Sequence, residues 1–427
     1  MKQLIGVGAI LVLLSVCISE NTGCRPANPP APTTAPISII VQPTTPLPSV
    51  VPLPTPTVVE QPQTHVDWRP GTMLARTGDE IMVCGQLYHT NTRVILWTDP
   101  DGYDAYRTER RFAPWDVADY DSTSKELSKD FTQPNRFGIR KSQVDAETFE
   151  RIRGGGWDLP TLQNVVDQFI IHYDACGTSR QCFNILQDHR GLSVHFMLDL
   201  DGTIYQTLDV KERAWHATTS NSRAIGIEIA NIGAYPTDDK ESTLDQWYRK
   251  DSDGRTRVVL PAFLAKNSGI LTEDFVARPI RNEAVVGTIQ GKNYRMYDLT
   301  PQQYQSLIKL TATICTIFPK INCDAPRDGM GNVINHVLPP DQLNRFQGVM
   351  GHYHLDEGKE DPGPAFEWDR VIYGAQSLMT EDAKRTNRDS LGHPALPVSV
   401  PPASAPATTQ STSEPASAPT SVPTTSQ

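Results

Sequence analysis

Residues 159–175 read LPTLQNVVDQFIIHYDA. Val165 and Val166 lead into Phe169, Ile170 and Ile171, and the run stops on His172. A short apolar run rich in β-branched and aromatic residues is the pattern of a buried strand. It reads as a core strand that delivers a histidine from its carboxyl end. A histidine in such a place is more often a packing or hydrogen-bonding residue than a ligand, so the run by itself leaves its role open.

Working outward, CFNILQDHRGLS (182–193) reads as a short helix and a turn. VHFMLDLDGTIYQTLD (194–209) alternates apolar and polar residues on both sides of Asp201-Gly202, a favourable turn dipeptide, and predicts a hairpin. AIGIEIAN (224–231) predicts another strand, ending near Glu228 and Asn231. The polar, turn-rich material at 233–293 reads as an excursion from the core. Beyond it, Tyr304, Leu307, Ile308, Leu310, Ile314 and Ile317 recur near helical spacing, with Thr300 as cap before Pro301. Upstream, 73–97 alternates and breaks at Gly78-Asp79 and between His89 and Asn91, which predicts strands. Residues 104–147 read as loops. No linker separates this part from the rest, so 66–160 is expected to be a β-rich elaboration packed on the main body, 161–380. The layout predicted from the residues is α/β or α+β, one central sheet with helices.

The chain has 427 residues and 35 prolines, more than a compact fold of that length usually carries. The excess sits in 25–65 and in the tail 381–427, Pro/Thr- and Pro/Ser/Thr-rich stretches expected to be an extended spacer and a disordered end. Residues 1–24 open with one lysine and an apolar stretch too short for a comfortable membrane span, which suits an export signal. Cys17 and Cys24 each match a lipid-attachment motif imperfectly, so a lipoprotein and a soluble secreted protein both fit. An exported location follows, periplasmic or outer membrane-associated if the source is bacterial. With 39 basic and 49 acidic residues the net charge is -10, which disfavours nucleic acid as partner. No protein partner is predicted. Cys176 and Cys182, and Cys315 and Cys323, form two close sequence pairs that an oxidising compartment can bridge or leave as buried thiols.

GHYHLDEGKEDPGPAFEWD (351–369) holds His352, His354 and Asp361 ahead of Pro-Gly-Pro. Histidine nitrogens and a carboxylate are suitable zinc ligands, and a hydrolytic site uses three of them. A solvated surface loop explains the same composition.

FIIHYDA (169–175), HFMLDLDGTIYQTLD (195–209), RAWHATTSNSRAIGIEIAN (213–231) and GHYHLDEGKEDPGPAFEW (351–368) together resemble the zinc N-acetylmuramoyl-L-alanine amidases of the AmpD-like type, the domain shared with animal peptidoglycan recognition proteins. The resemblance implies an α/β fold, a central mixed β-sheet flanked by helices, and cleavage of the amide between muramic acid and L-alanine in peptidoglycan or muropeptides. It implies Zn2+ held by His172, His352 and Asp361, with Glu228 in proton transfer and Lys359 stabilising the transition state. It places Trp215, His216, Asn221 and Arg223 in the substrate groove, and it implies a Cys176–Cys182 disulfide like that of the recognition proteins. The loop after His352 is about one residue tighter than the family's, with His354 where an aspartate is usual. By themselves, Glu228 reads equally as a salt-bridge partner, Lys359 as a solvated loop residue and Trp215 as core. The opposing class is a recognition-type module that binds muropeptides without cutting them.

Overall fold

The computed structural model describes residues 70–106, 137–239 and 243–389. The chain divides into Met1–Thr72 and Met73–Gln427. The expected export signal, and the spacer up to residue 65, lie outside the described residues.

Met73–Gln427 is built on a mixed sheet of six strands. In chain order these are β1 (Val94–Leu96), β2 (Gln168–Tyr173), β3 (Phe196–Leu198), β4 (Ile204–Gln206), β5 (Ala224–Ile229) and, much later, Gly348–Gly351. Between the last two comes a separate hairpin, β6 (Val285–Ile289) and β7 (Lys292–Met296), so Gly348–Gly351 is β8. The order across the sheet is β8-β2-β5-β3-β4-β1. Only β3 and β4 are antiparallel; the remaining neighbours run parallel. That antiparallel pair is the hairpin expected around Asp201-Gly202. The N-terminal elaboration is part of this sheet: Val94, Ile95 and Leu96 pair with Ile204, Tyr205 and Gln206 at its outer edge.

Side chains on a strand alternate between faces, and the alternation here decides where the site lies. Phe169, Ile171, Ile225, Ile227, Ile229, Phe196 and Leu198 are buried on one face. They pack against Leu307, Leu310 and Ile314 of the helix Pro301–Ile317 and against Val371 and Ile372 of the helix Trp368–Leu378. Each such side chain contributes about 1.5–3 kcal/mol on burial. Thr300 caps the longer helix, its hydroxyl accepting from Gln303 N–H while the Gln303 side chain accepts from Thr300 N–H. The alternate positions, Ile170 and His172 on β2 and Ala224, Gly226 and Glu228 on β5, face the other way. The parallel register sets His172 directly beside Glu228.

The first part of the stretch 381–427, expected to be a disordered end, is folded; residues 390–427 lie outside the described residues. Glu381–Asp389 is helical, and Asn387 is buried, accepting from Cys323 N–H and donating to the carbonyls of Pro319 and Ile321. No helix among the described residues is long and apolar enough to cross a membrane.

Candidate metal centre

Strand β2 ends at Tyr173, and its neighbour β8 ends at Gly351, which pairs with Ile171. One tight turn, His352–His354, follows directly and brings His352 level with His172. The chain then doubles back so that Asp361 O accepts from Tyr353 N–H at 3.1 Å. Glycine is required at 351: a Cβ there would lie 2.5 Å from Pro362 Cδ.

Three buried side chains meet as a result. Asp361 Oδ2 lies 2.8 Å from His172 Nδ1 and 3.1 Å from His352 Nδ1, and the two Nδ1 atoms are 3.1 Å apart. Ligands at about 2.1 Å from a tetrahedral metal are separated by about 3.4 Å, so the triangle has the size of one face of such a site. The donor set, two imidazole nitrogens and one carboxylate oxygen, suits a divalent transition metal. Burial, reinforced by the neighbouring His352, lowers His172 to a pKa of about 4, so the ring is neutral and free to ligate at neutral pH. Burial opposes the charge on Asp361, yet His352 and His172 outweigh it and hold the carboxyl well below its ordinary range. The group can therefore hold a metal ion.

His354 is settled by its own contacts. Its Nδ1 accepts from Gly351 N–H at 2.9 Å and its Nε2 donates to Ile334 O at 2.7 Å, so both nitrogens are engaged in bracing the turn.

Glu228 faces the triangle from β5. Burial, with repulsion from Asp361 and Asp174, pushes its carboxyl well above the ordinary range, while Arg190 and Lys359 pull it back. Lys359 is half-buried on the loop between the two later ligands, and its charge is felt at both Glu228 and His172.

The four residues expected in the groove have specific surroundings. His216 turns inward: its Nδ1 is 3.1 Å from His172 Nε2. Asn221 is buried and accepts through Oδ1 from His216 N–H and Ala217 N–H at 2.9 and 2.7 Å, which shapes the loop that carries His216. Arg223 forms a two-pronged ion pair with Asp167, at 2.6 and 2.5 Å, and also donates to Asn344 O. Trp215 is half-buried, with the Arg213 guanidinium 4.2 Å above its ring. Cys176 and Cys182 stand as thiols in hydrogen-bonding contact, unbridged in this structure, and Cys315 and Cys323 do the same.

Arg140 escaped the sequence reading, since FGIRKSQ carries no pattern that singles out its arginine. It is fully buried and donates to the carbonyls of Val210, Lys211, Asn221, Ser222 and Ala224, the loop that carries His216 and leads into β5. Burial lowers its pKa to about 9, and the ring of carbonyls stands in for an anionic partner.

Among solved structures, the selenomethionine derivative of AmpD is 16% identical over 60% of this chain and 99% of that one, with a TM-score of 0.26. AmiD from E. coli, solved with anhydro-N-acetylmuramic acid-L-Ala-D-gamma-Glu-L-Lys, is 18% identical over 50% of this chain, which spans 58% of AmiD, at a TM-score of 0.28. The N-acetylmuramoyl-L-alanine amidase LysC from Clostridium intestinale is 16% identical over 51% of this chain and 89% of that one, at 0.25. Comparison with curated proteins finds no match. The family model for N-acetylmuramoyl-L-alanine amidase matches residues 162–259, which contain His172 and Glu228; His352, Lys359 and Asp361 lie beyond it and are returned to the site by the sheet. The match supports amidase activity, and residues 162–259 of this chain are thus similar to the N-acetylmuramoyl-L-alanine amidase family, which its motifs also resemble.

Proposed function

We propose that this protein is a zinc-dependent hydrolase of the amide between N-acetylmuramic acid and L-alanine in peptidoglycan or muropeptides. The observation that carries the reading is the buried triangle of His172 Nδ1, His352 Nδ1 and Asp361 Oδ2 with Glu228 facing it. Bound zinc supplies a Lewis acid and an acidified water near neutral pH.

The chain's own residues do the remainder. Glu228 takes a proton from the attacking water as the C–O bond forms, and passes it to the alanine nitrogen as the C–N bond breaks. A carboxyl raised by burial is suited to both halves of that transfer. Lys359 sets its ammonium against the negative charge that gathers on the carbonyl oxygen. His216 Nδ1 accepts a hydrogen bond from His172 Nε2–H and so keeps Nδ1 of His172 turned to the ligand triangle. Trp215 offers the open part of its ring to a sugar or alanyl face, and Asn221 and Arg223 act through the loops they tie down.

A recognition module that only binds muropeptides has no need of three converging ligands, a facing Glu228 and a nearby Lys359. Mass analysis of peptidoglycan digests separates the two: release of stem peptides with a free L-alanine amine supports hydrolysis, and intact glycopeptide after long incubation contradicts it.

We further propose that the protein is exported, by the composition of residues 1–24, and that a lipid on Cys17 or Cys24 can tether it through the Pro/Thr spacer. Radiolabelled palmitate incorporation, lost in the Cys→Ala variant at the modified position, tests the tether.

A further inference from the structure

The excursion at 233–293 has a defined contact with the metal-binding loop. Its hairpin β6–β7 turns through Gln290 and Gly291, with Ile289 paired to Lys292, so the turn has two residues. Both take left-handed backbone, φ 51 at Gln290 and φ 72 at Gly291. Such turns favour Asn or Gly at the first position, because a longer side chain at positive φ is strained by about 1 kcal/mol or more. A glutamine held there by its surroundings directs attention to what its side chain does.

Its amide reaches across to the loop that follows β8. Nε2 donates to Tyr353 O at 2.8 Å and Asp356 O at 3.0 Å, with Lys359 O at 3.4 Å sharing the same group. Oε1 accepts from Val337 N–H at 3.0 Å, and Gln290 N–H donates to Asn335 O at 3.0 Å. A second contact lies on the far side of Asp361, where Gly287 approaches Pro364 so closely that a Cβ on it would be 2.8 Å from Pro364 Cβ. The hairpin thus grips the segment from 353 to 364 on both sides of Asp361, the stretch that also carries Lys359.

We propose that Gln290 is a positioning residue: the hairpin tip fixes the backbone of 353–359 and thereby the spacing of His352, Lys359 and Asp361. The consequence for catalysis rests on the metal-amidase reading; the consequence for loop order does not.

The decisive variant is Gln290→Gly. Glycine accepts φ 51 without strain, so the hairpin keeps or gains stability while all side-chain bonds to the loop vanish. Gln290→Glu, of the same shape but without the donor, is the companion in case glycine loosens the turn. The full chain is tested by hydrogen exchange on residues 353–361 after chelation, by competition for Zn2+ against a chromogenic chelator, and by steady-state kinetics on muropeptide. The expected result is a single cooperative unfolding transition in Gln290→Gly, which shows that the fold survives, and, in both variants, loop protection reduced about 10-fold, the equivalent of about one lost hydrogen bond. Zn2+ affinity falls about 10-fold, in the range seen when the outer partners of metal ligands are lost, and kcat falls with little change in KM. Parent-level loop protection in both variants overturns the proposal. A parent protein that takes up no Zn2+ overturns the metal reading instead, and hydrogen exchange still decides the clamp.

Discussion

His172 Nε2 lies 3.1 Å from His216 Nδ1, with the two rings perpendicular. With Nδ1 of His172 turned to the ligand triangle, its hydrogen sits on Nε2, and this N–H donates to His216 Nδ1. Gly226 makes room for this: a Cβ there would come within 2.5 Å of His216 Nδ1. His216→Phe should therefore weaken Zn2+ binding by about 10- to 100-fold without unfolding the protein. Gly226→Ala should reproduce the loss by pushing the His216 ring aside. Chelator competition measures both, and unchanged affinity in the two variants removes His216 from the site.

Glu228 must be ionised to accept a proton, and its folded-state pKa stands above the ordinary value. Activity should accordingly fall as pH drops through that raised pKa, at a higher pH than a solvent-exposed glutamate would give. Glu228→Gln should retain the metal and lose about 10²–10⁴-fold in kcat. The pH profile of kcat/KM and metal analysis of the variant check the two halves separately.

His195 makes a prediction about stability. Its Nδ1 accepts from Gly226 N–H and its Nε2 donates to Glu212 O, and burial, with the adjacent Arg140 charge, lowers its pKa to about 3. The unfolded chain binds this proton near pH 6.5 and the folded one does not. Stability is therefore full above about pH 6.5 and declines as pH falls toward 3, on the order of 3 kcal/mol between pH 7 and pH 4 from this group. Urea unfolding at the two pH values measures the loss, and His195→Asn should show a shallower dependence.

Oxidation should close Cys176 to Cys182, whose thiols already touch. A loop this short gains about 2 kcal/mol from the bridge in the chain-entropy model. Non-reducing peptide mapping identifies the cross-link, and the shift in urea midpoint on reduction gives its size.

The sequence made the local elements readable wherever one physical rule dominated. Phe169–Ile171 reads as a buried strand, Asp201-Gly202 as a turn and Thr300-Pro301 as a helix start, and the structure has each of them. The ligand set was legible only as a resemblance, because His352 and His354 stand in the same turn and composition does not say which faces inward; the structure separates them by giving both nitrogens of His354 other partners. Contacts between distant segments were not legible at all. Nothing in Val94–Leu96 announces the partner at Ile204–Gln206, and nothing in FGIRKSQ announces that Arg140 will be buried among carbonyls. The hairpin turn at Gln290-Gly291 was missed because its signal is a left-handed glutamine, which propensity alone argues against.

The central claim is that His172, His352 and Asp361 hold one zinc ion. Elemental analysis of the purified full chain tests it most directly. The account predicts one zinc per chain, lost in His172→Ala and Asp361→Ala and retained in Glu228→Gln and His354→Gln. A metal-free parent protein refolded and equilibrated with Zn2+, or a zinc content unaffected by Asp361→Ala, would contradict it.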